Sequence, residues 1–252
     1  MRNRVLVTIA FIAISLGLRA EAVDVLLAAA TDAELAPLVG QLAESHTESH
    51  VAWTFWTGKI SGRKVALVRT EGDPLNAVAA VTLAIMRYQP KLVLTLGAAR
   101  AHDPALHAGD IVVSEKFAAF DGMISPQKKI GEGSDATTWH PLPHPMMTSG
   151  EKETEMMMFP ADAGALAVAR QLPVARGRLV VGVLGSANQV NREADRIALL
   201  RRQWGTSCED GESAHIAGCA FLLGAPVLGL RVIEGRDGEA AALAQKFLDA
   251  SK

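Results

Sequence analysis

The feature that most constrains this chain is a recurring pair: a short, mostly apolar run, then a helix-start signature. Val23-Asp24-Val25-Leu26-Leu27-Ala28-Ala29 is almost wholly apolar, as a strand buried on both faces must be, and Thr31-Asp32-Ala33-Glu34 follows at once. A threonine with a glutamate three residues later is a capping box, so a helix is expected from there to about Ala43. The alternation continues downstream. Strands are expected at 53–57, 64–69, 92–96, 110–114, 179–184 and 226–232, and helices at 75–87, 163–171, 192–203, 212–223 and 237–250. Strands interleaved with helices imply an α/β fold with a largely parallel central sheet. No repeat and no linker rich in Gly, Ser or Pro divides residues 23–252, which are read as one domain. Residues 121–160 form a loop insertion within it, carrying His140-Pro141-Leu142-Pro143-His144-Pro145 and the methionines Met146, Met147, Met156, Met157 and Met158. A stretch of that length without periodicity suits a lid or binding loop.

The N-terminus has a different character. Arg2 and Arg4 precede an uncharged run from Val5 to Leu18, and Ala20-Glu21-Ala22 supplies the small-x-small pattern of a signal-peptidase site. The run is shorter than the ~20 residues that span a bilayer as a helix. Residues 1–22 are therefore expected to be a signal peptide cut after Ala22, and the protein to be periplasmic or secreted. This segment accounts for part of the mean hydropathy of +0.19. Its loss takes the formal net charge from −2 to −4, since Arg2, Arg4, Arg19 and Glu21 go with it. Neither form has the basic excess that holds a phosphate backbone, so no nucleic-acid partner is expected. Cys208 and Cys219 are too few for a disulfide scaffold; an oxidising compartment would permit a bridge, but Cys219 lies in an apolar helical pattern that suits a buried free thiol.

Several chemistries lack their signatures. Neither Gly-x-Ser-x-Gly nor Gly-x-Gly-x-x-Gly occurs, so serine-hydrolase and dinucleotide-binding readings are unsupported. His140 and His144 have the i, i+4 spacing of a helical metal pair, but Pro141, Pro143 and Pro145 exclude a regular helix there, and no metal site is expected. Ligands of doubly wound sheets bind beyond the carboxyl ends of the strands. That places attention on Ala30–Glu34, Gly97–Arg100, Gly185–Asn188, Arg231–Asp237 and the acidic Glu209-Asp210-Gly211-Glu212, where three carboxylates crowd more closely than helix capping requires.

Leu94-Thr95-Leu96-Gly97-Ala98-Ala99, followed by Ala108-Gly109-Asp110-Ile111-Val112-Val113, resembles the strand, glycine turn and following strand of the nucleoside phosphorylase superfamily. Leu27–Leu38 with Glu34, the hairpin of Thr57–Ile60 and Val65–Val68, and Glu209–Ala217 with Pro226–Ile233 agree in order and spacing. The likeness covers most of residues 23–235, and within the superfamily it is to the methylthioadenosine/S-adenosylhomocysteine nucleosidases. It implies a three-layer sandwich around a mixed sheet, hydrolysis of the N-glycosidic bond of a purine nucleoside, no metal or organic cofactor, and a homodimer. On it, Glu34 would activate water, Glu212 would hold the ribose hydroxyls, and Arg231 would orient the catalytic aspartate. Gly97, Ala98, Asn188, Gln189, Asp210 and Gly211 would line the substrate site. This chain departs from the pattern where Ala98 replaces a serine, Gly211 a methionine and Asn188 an aromatic residue. The catalytic aspartate itself falls on Gly235, leaving Asp237, or else Glu234, as the carboxyl that would reach the purine. A carboxylate at the attack site repels phosphate, so hydrolysis is favoured over phosphorolysis. A phosphate-dependent phosphorylase and a catalytically impaired nucleoside-binding protein are the alternatives.

Overall fold

The computed structural model describes residues 21–148 and 152–251, so the expected signal segment lies outside the described residues except for Glu21 and Ala22. The elements run β1 (Val25–Ala29), α1 (Asp32–Val39), β2 (Ala43–His50), β3 (Trp53–Ile60), β4 (Arg63–Arg69), α2 (Pro74–Tyr88), β5 (Leu92–Ala101) and β6 (Ile111–Ala119). Short strands β7 (Met123–Ile124), β8 (His140–Pro141), β9 (His144–Thr148), β10 (Lys152–Met156) and β11 (Phe159–Pro160) follow. The chain then forms α3 (Ala163–Ala169), β12 (Leu179–Ser186), α4 (Ala194–Trp204), β13 (Thr206–Asp210), α5 (Ser213–Leu222), β14 (Val227–Ile233) and α6 (Glu239–Ala250).

This is the expected α/β architecture around a mixed central sheet. Most inner pairs are parallel (β1 with β4 and β5, β12 with β6 and β13, β14 with β5), whereas β13 with β5, β14 with β6 and the outer β2–β3–β4 strands are antiparallel. One half of the sheet closes on itself. β6 pairs β12, β12 pairs β13, β13 pairs β5, β5 pairs β14, and β14 returns to β6. Closure removes the free edges that an open sheet would present on that side. Apolar side chains fill both faces. α2 and α5 cover one with Ala80, Val81, Ala84, Ile216 and Ala220 against Leu26 and Val93. α1, α3 and α6 cover the other with Leu35, Leu38, Ala169, Leu243 and Phe247 against Leu27, Leu94 and Leu228.

Local chemistry sets the helix starts that matter for the site. Thr31 and Glu34 form the capping box, with Glu34 N–H donating to Thr31 Oγ1 at 3.2 Å and Thr31 N–H to Glu34 Oε2 at 3.2 Å. Asp73 caps α2 through the N–H groups of Leu75 and Asn76, with Pro74 in the first turn, where its missing N–H costs nothing.

The structure departs from the sequence reading in four places. α1 stops at Val39 instead of near Ala43: Pro37 lacks a helical N–H, and the chain leaves through Gly40 into β2. β2 is a mostly exposed edge strand of sequence Ala-Glu-Ser-His-Thr-Glu-Ser-His, so it carries no apolar alternation by which a strand is recognised. The acidic residues Glu209 and Asp210 end a strand, β13, and do not open a helix; α5 begins only at Ser213. The 121–160 segment, expected as a loop insertion, carries short ladders: β7 with β8, β9 with β10, and β11 with β6. Both cysteines are buried free thiols.

Candidate active site

A cavity of about 510 Å³ opens where the carboxyl ends of β1, β5, β12, β13 and β14 converge. That size suits a small organic ligand. Its wall is built from Ala30, Glu34, Gly72, residues 96–100, residues 187–190, residues 209–212, Arg231 and Glu234. Of the residues expected from sequence, Glu34, Gly97, Ala98, Asn188, Gln189, Asp210, Gly211, Glu212 and Arg231 are all on this wall.

Asp237 is not. β14 ends at Ile233, and Glu234 turns the chain sharply with φ +47 while its N–H donates to Ala99 O at 2.9 Å. The carboxylate on the wall is therefore Glu234, while Asp237 lies exposed in the turn before α6. Between them, Gly235 has no room for a side chain: a Cβ there would stand 2.8 Å from Val232 Cβ.

The floor is an ion pair taken out of water. Arg231 is 1% exposed, and its Nε donates to Asp210 Oδ2 at 2.7 Å while Nη2 donates to Thr95 Oγ1 at 2.8 Å. Asp210 Oδ1 accepts Ser186 Oγ–H at 2.7 Å and the N–H groups of Glu212 and Ser213 at 2.8 Å each; Ser213 Oγ–H donates to Oδ2. Burial opposes ionisation of Asp210, but Arg231, Ser213 and Ser186 together hold its carboxyl below the usual range. Breaking a satisfied buried pair by removing one partner typically costs ~3–5 kcal/mol. The supporting hydroxyls of Ser186, Ser213 and Thr95 carry no motif and converge only in the folded chain.

Two carboxylates stand above this floor. Glu212 is 2% exposed, and its Oε2 has no hydrogen-bond partner among the described residues. Burial pushes its carboxyl up to about 7; Arg231 and the Thr70 hydroxyl pull down, and the charges of Asp210 and Glu34 push up again. A buried acceptor without a partner is costly unless a ligand completes it. Glu34, half-buried, reaches across from α1, where Oε1 accepts the Ala98 N–H at 3.2 Å. Gly97 permits that approach: its φ is +154, and a Cβ there would lie 2.8 Å from Glu34 Oε1. Gly211 is equally constrained, since its Cβ would collide with the carbonyl oxygen of Gly72. Backbone fills the place where a side chain would otherwise project.

The upper wall is a loop tied down from below. Glu209, 4% exposed, accepts the Asn191 N–H at 3.1 Å and Asn191 Nδ2–H at 2.6 Å, with His102 Nε2 at 3.1 Å from Oε2. Burial opposes its charge, yet His102 and Asn191 hold its carboxyl below the usual range. His102 is fixed in turn by Thr206 Oγ1, 2.7 Å from Nδ1. The clamp anchors residues 187–191, including Asn188 and Gln189. Its members are far apart in sequence, and only the unexplained acidity of Glu209 hinted at them.

The chain matches the Phosphorylase superfamily over residues 24–251. It is 26% identical to the 5′-methylthioadenosine/S-adenosylhomocysteine nucleosidase of Baumannia cicadellinicola over 210 residues, which cover 81% of this chain and 82% of that one. Among solved structures it resembles the S. pneumoniae nucleosidase of the same name bound to a transition-state inhibitor, with a TM-score of 0.72, 19% identity, and coverage of 91% of this chain and 100% of that one. The corresponding nucleosidase of Colwellia psychrerythraea in complex with adenine also gives a TM-score of 0.72, at 20% identity, covering 90% of this chain and 95% of the other. A match spanning nearly the whole described chain, with this sheet and this cavity, makes the protein a member of the phosphorylase superfamily.

Proposed function

We propose that this protein is a nucleosidase that hydrolyses the N-glycosidic bond of a purine nucleoside, of the kind that 5′-methylthioadenosine and S-adenosylhomocysteine represent. The observation that carries this reading is the pair Glu34 and Glu212, two carboxylates facing one cavity above the neutralised Asp210–Arg231 floor. Glu212, buried with an acceptor atom unpartnered, takes hydrogen bonds from the ribose hydroxyls. Glu34, held by the Thr31 capping box and the Ala98 N–H, accepts the proton of the attacking water. The C1′–N9 bond breaks through a cationic sugar, which both carboxylates stabilise electrostatically. Two carboxylates facing the attack side repel phosphate, which favours water as nucleophile.

One observation favours a second reading, a nucleoside-binding protein with little turnover. Position 235 cannot carry a carboxyl, because Val232 occupies the space its Cβ needs. A single experiment separates the readings. Purified protein is incubated with methylthioadenosine, adenosine and inosine, with and without phosphate, and free base is measured. Base release that ignores phosphate and is abolished in Glu34→Gln is the expected result. Release only with phosphate means a phosphorylase, and tight binding without release means the binding protein.

Further expectations complete the proposal. Residues 23–252 act as one domain after removal of the signal peptide, in the periplasm or outside the cell; the arginines and apolar run of residues 2–18 support this. A homodimer is supported by exposed Leu75, Val78 and Met86 on α2 beside Leu222 and Leu223 at the end of α5, the helix that packs against α2.

A further inference from the structure

The cavity wall holds two arginines with different circumstances. Arg231 is buried and neutralised by Asp210. Arg100 stands at the outer end of β5, exposed, and makes no ion pair with any described carboxylate. Its strand neighbours place it. Arg100 pairs with Glu209 of β13 on one side, and on the other Glu234 N–H binds Ala99 O. If Glu212 and Glu34 take the sugar, Arg100 and Glu234, which line the same cavity, are left to meet the base.

We infer that Arg100 binds the O6 and N7 atoms of a 6-oxopurine, so that, among the purine nucleosides proposed above, the cavity prefers hypoxanthine or guanine nucleosides to the adenine nucleosides for which its relatives are named. The inference rests on the nucleosidase reading. A guanidinium presents two parallel N–H donors, which match the adjacent acceptors N7 and O6. Adenine offers N7 beside an amino donor, so one of the two bonds is lost and a donor faces a donor. Glu234 on the same wall is an acceptor suited to the N1–H of a 6-oxopurine, where adenine has only a lone pair.

Leaving-group chemistry points the same way. When C1′–N9 breaks, the bonding electron pair goes to the purine, the water oxygen bonds to C1′, and the water proton goes to Glu34. With Gly235 in the acid's place and Glu234 serving as the acceptor for N1–H, the purine departs as an anion and takes its proton afterwards from solvent or Glu34. A 6-oxopurine spreads that negative charge onto O6 and N7, the atoms beside which Arg100 supplies positive charge.

The test compares kcat/KM for 5′-methylthioinosine and 5′-methylthioadenosine in the wild-type protein, Arg100→Ala and Arg100→Lys. The expected inosine-to-adenosine ratio exceeds one, falls about 10-fold or more in Arg100→Ala, and is only partly kept by lysine, which lacks the planar fork. An unchanged ratio in Arg100→Ala overturns the inference. So does a change confined to selectivity between neutral and 5′-phosphorylated nucleosides, which would put the guanidinium at the other end of the ligand. If neither nucleoside is cleaved, the nucleosidase reading falls, and calorimetry with free hypoxanthine and adenine then decides on Arg100 alone. A hypoxanthine preference lost in Arg100→Ala upholds the base assignment, and equal binding of the two bases overturns it.

Discussion

Replacing Gly97 by alanine moves the Glu34 carboxylate, proposed above to activate water, without removing any charge. The new methyl would lie 2.8 Å from Glu34 Oε1 and 3.5 Å from its Cδ. Restoring an ordinary contact of 3.4 Å means the carboxylate retreats by roughly 0.6 Å, or the β5 backbone gives way. Misplacing a reacting group by ~1 Å can cost ~10²-fold in rate. On that scale kcat/KM in phosphate-free buffer should fall about 10-fold or more, mainly through kcat, because the groups assigned to the sugar and base are untouched. The backbone adds its own penalty. At φ +154 a side chain is strained, at a cost of ~1–3 kcal/mol, and a domain of this size loses ~2–4 °C in Tm per kcal/mol. Base-release kinetics and a thermal melt on the same sample read both effects. A Tm lowered as expected, with kcat/KM within about twofold of wild type, would refute the argument that Gly97 exists to seat Glu34.

Glu212 gives a pH signature. Its carboxyl titrates near 7 in the folded chain, above its ordinary 4.5, so nucleoside binding should weaken as pH falls through about 7, and Glu212→Gln should flatten that dependence in a KM profile. The same shift means the native state binds the extra proton, so this group's contribution to stability falls as pH rises from about 4.5 to 7; the difference in melting between wild type and Glu212→Gln should follow that window. Asp210→Ala should cost ~3–5 kcal/mol by leaving Arg231 charged and buried, seen as a lower denaturant midpoint, whereas a double Asp210→Leu, Arg231→Met variant should recover much of the loss while remaining inactive. Asn191→Ala should free the 187–191 loop from Glu209, raising KM with a smaller effect on kcat; equal losses in both would contradict a positioning role.

Legibility in the sequence followed the physical signal each element carries. β1 and β5 are buried on both faces and announce themselves as apolar runs, and α1 begins with the Thr31–Glu34 capping box. β2 could not be seen in this way, since an exposed edge strand needs no apolar face. β13 was hidden for the opposite reason. Its Glu209 and Asp210 look like solvated surface until His102, Asn191 and Arg231, distant in sequence, supply their partners. At the site, Glu34 and Glu212 followed from resemblance and spacing. The carboxylate after β14 did not, because its place depends on the left-handed turn at Glu234, which a non-glycine residue does not advertise.

The contact between Gly211 and the Gly72 carbonyl has a consequence for how this chain can change over generations. A side chain at 211 is barred as long as the loop before α2 keeps its present path, so any replacement there must be preceded by a shift around Gly72. The order of events then matters: neither step alone places a substituent on that wall. Diversification of this cavity is accordingly channelled to positions whose side chains already have room, Asn188, Gln189 and Arg100, while a change at 211 waits on one around 72.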